Sequence, residues 1–192
     1  MVIVDSKISF FGEDNPAEKT LIVFPPELST LGPSHPAWSR RVAIEIKNLM
    51  QYIDYLKAQN NALWFFLKPT DKKEYNYQRW DGYLKIPRRP DIEFEIRIIL
   101  TSEYPKVFPR AFAEASIMNY CAGNIFPKNI WKDNENPDRE FIMICHDHMK
   151  ETDNAWNPQL SIAHFFLREI WFWWSAKTNR IIQEWDKEKG LL

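Results

Sequence analysis

Glycine and cysteine are both scarce in this sequence of 192 residues. It has 5 glycines and contains neither a GxGxxG nor a GxxxxGK motif, which argues against the phosphate-cradling loops of nucleotide-binding proteins. Its 2 cysteines, Cys121 and Cys145, are too few for a disulfide scaffold. Free thiols are typical of a reducing compartment, so we expect a cytoplasmic protein.

The chain also has no excess of charge of either sign and no long apolar run. Its 25 Lys and Arg residues oppose 26 Asp and Glu residues, and a net charge of −1 excludes a general electrostatic binder of nucleic acid. No run of about eighteen apolar residues is present, so no membrane span is predicted. Residues 1–14 carry an acid early and lack the basic and apolar regions of a signal peptide. We therefore expect a partner that is neither nucleic acid nor membrane.

Aromatic residues are abundant, and they make up 15% of the sequence, which predicts a large aromatic core. Residues 1–33 contain short apolar pieces that end at Pro-Pro and Gly-Pro breakers, and we predict an extended N-terminal arm there. The remaining residues, 34–192, are predicted to form one domain.

A long amphipathic helix is predicted at the start of this domain. Ser34 is placed to cap it, and apolar residues then recur at spacings of three and four, which gives one apolar stripe over about six turns. The stripe consists of Trp38, Val42, Ile46, Leu49, Ile53 and Leu56. The charged residues that fall off this stripe are predicted to face solvent. They include Arg40, Arg41, Glu45 and Lys47.

Four strand signals follow, at residues 63–67, 79–86, 92–100 and 110–116. The third is the clearest, because apolar and charged side chains alternate with the period of two of a half-buried strand. Residues 117–160 are predicted to be irregular, and Ser161 is predicted to cap a C-terminal helix. The sequence therefore predicts an α+β domain with an N-terminal helix, a four-stranded antiparallel meander sheet, a long loop and C-terminal helices that cover one sheet face.

Cys145 is the candidate nucleophile, because it follows the apolar residues 141–144 at the point where a strand-like segment leads into polar residues. The alternative is a small buried residue, since a free Cys is often buried. His146 and His148 beside it suggest a zinc site, but structural zinc needs about four ligands in two spaced pairs, and the other Cys and His residues do not show that spacing. We therefore expect no metal and no cofactor.

A cysteine hydrolase is a further alternative, in which Cys145 would work with a distant His and an Asn or Asp. His35 and His164 are the available bases. His164 lies among core-like residues of the predicted C-terminal helix, which favours a satisfied polar contact over a catalytic role.

Four short motifs occur in sequence order between residues 104 and 162: YPKVFP at 104–109, IFPKNI at 125–130, ICHD at 144–147 and WNPQLSI at 156–162. Ubiquitin-conjugating enzymes have, in the same order, a YPxxxP turn, an aromatic–His-Pro-Asn–Ile stretch, an Ile-Cys-Leu-Asp segment and a Trp-Ser-Pro-x-x-x-Ile segment. About residues 36–175 therefore resemble this family and its UBC-like fold.

The resemblance implies a transferase that carries a ubiquitin-like modifier as a thioester on Cys145. An activating-enzyme-like adenylyltransferase would supply the modifier, and an amine of a target protein would receive it. The side-chain amide of Asn129 would donate to the thioester oxygen as negative charge develops there. A carboxylate helps the amine to lose its proton, and Asp147 is the candidate, with Asp153 as a second.

The sequence departs from the family pattern in three places. The His-Pro of the family is PK at residues 127–128, an insert occupies residues 132–140, and the acidic gate residue has no clear counterpart. The charged insert is predicted to form an exposed flap beside Cys145. A second reading is therefore a catalytically inactive variant that serves as a protein-binding module.

Divergence of this degree resembles the prokaryotic relatives of ubiquitin-conjugating enzymes. Their genes commonly lie beside those of an activating-enzyme relative and a JAB-type metalloprotease, and some serve antiphage defence. The resemblance therefore implies a prokaryotic conjugation system of this kind. In the family, the exposed face of the N-terminal helix meets the activating enzyme, which makes Arg40, Arg41 and Lys47 candidate docking residues.

Overall fold

An antiparallel sheet of six strands forms the centre of this α+β protein. The computed structural model describes residues 16–59, 63–70, 76–87, 89–121, 130–144 and 156–192. Of the helices in these ranges, none has both the length and the apolar character that crossing a membrane requires.

The strands are β1 (Phe65–Pro69), β2 (Arg79–Ile86), β3 (Arg89–Ile99), β4 (Arg110–Glu114), β5 (Ile130–Lys132) and β6 (Glu140–Met143). Their order in the sheet is β1-β2-β3-β4-β6-β5. The expected four strands are present, but the predicted count was too low, because β5 and β6 form a hairpin inside the segment expected to be irregular. Strands of 3 and 4 residues are too short for hydrophobic periodicity to reveal.

The helices are α1 (Pro26–Ser29), α2 (Trp38–Ala58), α3 (Ile162–Phe165) and α4 (Trp171–Glu188). A π-helical turn, Phe166–Ile170, joins α3 to α4, and 3-10 turns lie at Glu18–Thr20 and Ala115–Asn119. The predicted cap of the C-terminal helix is confirmed, since Ser161 and His164 form a capping box.

The predicted cap of the first helix, Ser34, is wrong. The helix α2 begins at Trp38 with Ala37 as its N-cap residue, and no side chain caps it. His35 serves the approach to the helix instead, because its Nδ1 accepts the Ala37 N–H at 3.0 Å.

The helices pack on one face of the sheet, which we call the inner face. Phe65, Leu84 and Phe94 lie directly opposite one another across β1, β2 and β3, and therefore point to the same face. Tyr52 of α2 lies 5.5 Å from the Phe65 ring, and Trp174 of α4 lies 6.3 Å from the Phe94 ring. The aromatic core predicted from composition lies between these layers.

The described part of the N-terminal arm, residues 16–33, packs against the domain. The Asn48 side chain of α2 donates to the carbonyl and accepts the N–H of Ile22, both at 2.8 Å. The Phe24 N–H donates to the Gln159 carbonyl at 2.8 Å, and the Phe24 side chain is buried. The boundary at residue 34 stays a prediction.

Candidate functional site

The three residues predicted to carry the chemistry lie outside the described residues. Asn129 falls in the segment 122–129, and Cys145 and Asp147 fall in the segment 145–155. The site is therefore described from the residues that border these two segments.

Ile130, the first residue of β5, and Ile144, which directly follows β6, border the two segments. Ile130, which follows Asn129, opens β5 and lies opposite Ile142 of β6. Ile144, which precedes Cys145, lies two residues after Ile142. It is buried, and its N–H donates to the Ala111 carbonyl of β4 at 2.9 Å. The start of β5, where the chain arrives from Asn129, therefore lies beside the end of β6, where the chain continues towards Cys145.

Trp156 marks the other end of the segment that contains Cys145. Its Nε1 donates to the Pro105 carbonyl at 2.8 Å, and its ring lies 6.0 Å from that of Tyr104. The first and the last of the four sequence motifs, YPKVFP and WNPQLSI, are therefore joined by this hydrogen bond.

A buried ion pair adjoins this contact, because both of its residues are hydrogen-bonded to the Tyr104 hydroxyl. Arg41 and Glu45 of α2 are both 0% exposed, and all five N–H donors of Arg41 have acceptors. These acceptors are Glu45 Oε1 at 3.2 Å, the carbonyl oxygens of Leu28, Pro158 and Leu160 at 3.1, 2.9 and 2.9 Å, and the Tyr104 hydroxyl at 3.3 Å. The guanidinium also lies over the Phe24 ring, 3.9 Å from its centroid.

Glu45 completes this group, which we call the Arg41–Glu45 cluster. Its carboxylate accepts from Arg41, from the Tyr104 hydroxyl, and from the Ile162 N–H at 2.8 Å. Burial raises the pKa of Glu45, although the nearby Arg41 charge works in the opposite direction. Burial and the Glu45 charge also raise the pKa of Tyr104 well above its usual value, so this hydroxyl stays a donor.

The prediction that Arg41 and Glu45 face solvent is wrong. They lie beside the apolar stripe of α2, and their burial is possible because each polar atom of the guanidinium is satisfied within the protein. The only signal in the sequence is an Arg and a Glu four residues apart, and exposed helix pairs have the same spacing. Arg40 and Lys47 are exposed, as predicted.

The two predicted candidate bases both have local hydrogen bonds. The Nδ1 of His164 accepts the Ser161 N–H at 3.1 Å, and the side chain is buried. Burial, together with the Arg168 charge, lowers the pKa of His164 to about 3, so it is neutral near pH 7. His35 is exposed, and its Nδ1 is occupied by Ala37.

Cys121 is placed as an inert thiol. It is buried, and burial raises its pKa to about 11, so it is protonated at neutral pH and a poor nucleophile. Within the described ranges, no three His, Cys, Asp or Glu side chains come together in a group that could hold a metal ion.

The insert is not an exposed flap throughout, and this part of the prediction is wrong. Asp133 is 3% exposed, and its carboxylate lies 3.0 Å from Nη2 of Arg97, which is 2% exposed. Arg97 also binds Asp81 at 2.7 Å, and its guanidinium lies over the rings of Trp131 and Phe141. The turn of the hairpin therefore folds onto the sheet face opposite the helices, at the hairpin end away from Ile130 and Ile144.

No protein-family model matches the chain, and no curated protein matches it either.

The Asp133–Arg97 pair generates a prediction for stability. Asp133→Ala leaves a buried guanidinium without one of its two carboxylates, so we expect the free energy of unfolding to fall by about 2–3 kcal/mol. Asp138→Ala is the matched control, because Asp138 is an exposed aspartate in the same turn, and a change within about 0.5 kcal/mol is expected there. Urea unfolding measures both. Equal effects of the two variants would contradict the pairing.

The same pair predicts a pH dependence. Burial alone would raise the pKa of Asp133, but the Glu135 N–H and the Arg97 charge outweigh it and hold the pKa below its usual value. The stability that this carboxylate contributes is therefore present above the ordinary Asp pKa of 3.8 and is lost as pH falls through the folded-state value. We expect the difference between the wild type and Asp133→Ala to shrink on acidification below that pH.

Proposed function

We propose that this chain is a ubiquitin-conjugating-like transferase that carries a ubiquitin-like modifier as a thioester on Cys145. The four motifs quoted above support the proposal. The order of elements supports it as well: α2, then β1 to β4 hydrogen-bonded in chain order, then the C-terminal helices. The proposal needs no cofactor in this chain.

The observation that carries the proposal is the pairing of β5 with β6. Because Ile130 lies opposite Ile142, the residues that adjoin Asn129 and Cys145 leave the sheet at the same end of neighbouring strands. Strands in such a pair are about 4.8 Å apart, and this close spacing of the bordering residues supports the proposal that the amide of Asn129 and the thiol of Cys145 act on one carbonyl.

The proposed reaction has two steps. In loading, the Cys145 thiolate attacks the thioester carbonyl that links the modifier to the activating enzyme, and the thiolate of that enzyme leaves. In transfer, an amine nitrogen attacks the new thioester carbonyl, the carbon–sulfur bond breaks, and Cys145 leaves as a thiolate. Asn129 donates to the carbonyl oxygen in the second step, and Asp147 takes the proton from the amine.

The proposed partners are the modifier, the activating enzyme and a target protein. On α2, the exposed face offers the basic residues Arg40 and Lys47 together with the exposed side chains of Ile46 and Met50. We propose that the activating enzyme binds this face. Arg41 is removed from the predicted docking set, because it is fully buried.

A protein-binding variant and a cysteine hydrolase are the competing functions. The missing His-Pro favours the binding variant, whereas the buried, hydrogen-bonded His164 speaks against its use as the base of a hydrolase. Incubation with the activating enzyme, ATP and the modifier separates all three. A reductant-sensitive adduct indicates the transferase, binding without an adduct indicates the variant, and net cleavage without an acceptor indicates the hydrolase.

The first prediction of this proposal concerns the thiol. Cys145→Ala is expected to abolish the adduct, and Cys121→Ala, the matched control, is expected to retain it because the Cys121 thiol is buried and protonated. Cys145→Ser should form an oxyester that survives reductant, since an alkoxide leaves less readily than a thiolate. Non-reducing gels measure the adduct. Equal adduct in Cys145→Ala and the wild type would refute the assignment.

The second concerns the docking face. The double variant Arg40→Glu/Lys47→Glu is expected to slow loading roughly tenfold at low salt, where electrostatic steering is strongest. Its melting temperature should be unchanged, because both side chains are exposed. Arg41→Glu, by contrast, should lose cooperative unfolding altogether. Wild-type loading rates in the double variant would mean that this face contacts solvent and does not bind the activating enzyme.

The third concerns Asn129. Loading exchanges one thioester for another, whereas transfer to an amine needs a deprotonated nucleophile and a stabilised oxyanion. Asn129→Ala should therefore load normally but discharge to free lysine about tenfold more slowly, or roughly 1.4 kcal/mol of barrier. Single-turnover discharge of the isolated thioester measures this step. An unchanged rate would assign oxyanion stabilisation to another group.

A further inference from the structure

Residues 156–161 belong to no strand and no helix, yet hydrogen bonds to other parts of the chain hold most of these residues in place. Trp156 is bonded to Pro105, Pro158 and Leu160 to Arg41, and Gln159 to Phe24. The residue that follows this stretch, Ile162, opens α3, and its N–H donates to Glu45. The Arg41–Glu45 cluster thus supplies three of the contacts that hold this stretch, which directly follows the segment containing Cys145 and Asp147.

General stability does not explain a charged pair at this place. Well-packed apolar residues of similar volume are often as stabilising as a buried ion pair, or more so. Apolar residues could not, however, donate to the carbonyls of Pro158 and Leu160 or accept the Ile162 N–H. What the cluster adds to packing is therefore a defined position for this backbone.

We propose that Arg41 and Glu45 are positioning residues of the transfer step. They fix residues 156–162, and thereby one boundary of the segment that carries the proposed nucleophile and base, while the Ile144–Ala111 hydrogen bond fixes the other. This inference rests on the proposed function. It predicts that the pair is required for transfer, because the geometry relative to an acceptor matters in that step, and that it is not required for loading.

The test uses a synthetic glycyl-peptide thioester as the acyl donor and free lysine as the acceptor, so that no natural partner is needed. The double variant Arg41→Met/Glu45→Leu removes both charges together and keeps an apolar filling, and we expect it to melt cooperatively but below the wild-type temperature, because the carbonyls of Pro158 and Leu160 and the Ile162 N–H lose their partners. Amide hydrogen exchange in residues 156–162 should become at least about tenfold faster. Discharge should fall about tenfold in kcat with an unchanged KM for lysine, while loading stays normal.

Ile181→Ala is the matched control. Ile181 is a buried residue of α4, roughly 28 Å along the helical axis from Ile162, so its truncation lowers stability without touching the cluster. It should discharge at the wild-type rate. If the double variant does not fold, Tyr104→Phe removes only the hydroxyl that joins Arg41 and Glu45, and a discharge rate lowered about threefold is expected.

Each outcome decides a separate point. Wild-type discharge in a folded double variant, or unchanged exchange in residues 156–162, overturns the positioning role even though thioester forms. A discharge defect in Ile181→Ala as large as that of the double variant also overturns it, because the effect would then follow stability. A wild-type chain that never forms the thioester overturns the proposed function and this inference together.

Discussion

A guanidinium without access to water needs an acceptor for each of its five N–H groups, and the acceptors of Arg41 come from four separate parts of the chain. Arg41 takes its acceptors from α1, from Glu45 of its own helix, from Tyr104 and from the stretch that leads into α3. Moving any of these elements would leave a buried donor or carbonyl unpaired, at about 1–3 kcal/mol for each group. The N-terminal helices, the Tyr-Pro turn and the stretch before the C-terminal helix are therefore all tied to this one side chain.

The opposite face of the sheet holds a second buried guanidinium, that of Arg97, whose Nη1 has no hydrogen-bond partner among the described residues, and its carboxylate partners respond differently to acid. Arg97 gathers Asp81 and Asp133 there, and the pKa of each carboxyl is held below its usual value despite burial. Glu45 lies deeper, and burial raises its pKa. Acid therefore weakens the outer group by protonating carboxylates that the fold prefers charged, whereas protonation of Glu45 relieves part of its own desolvation cost. The hairpin β5–β6 depends on the more acid-sensitive group.

Hydrophobic periodicity predicted the elements that it can resolve. The stripe of α2 is buried except at Ile46, which is exposed, and the alternation in β3 and the Ser161 cap are also found in the structure. The burial of Arg41 and Arg97 is not apparent in the sequence, because a pattern of apolar and polar residues contains no information on whether a distant carbonyl or carboxylate will pair a charge. The candidate site divides in the same way. The sequence motifs that border it meet in the structure, as Trp156 and Pro105 do, whereas the group that holds them together was missed.

The hairpin that borders the candidate site is short, and this makes its two ends interdependent. Only three residue pairs join β5 to β6, and an isolated two-stranded hairpin is marginally stable in water. Its position therefore depends on pairing with β4 along one side and on the Asp133–Arg97 pair at the turn. Because the strands are 3 and 4 residues long, the turn lies only roughly 10 Å from Ile130 and Ile144. Charges on the outer face thus help to hold the hairpin whose strands border the segments that contain Asn129 and Cys145.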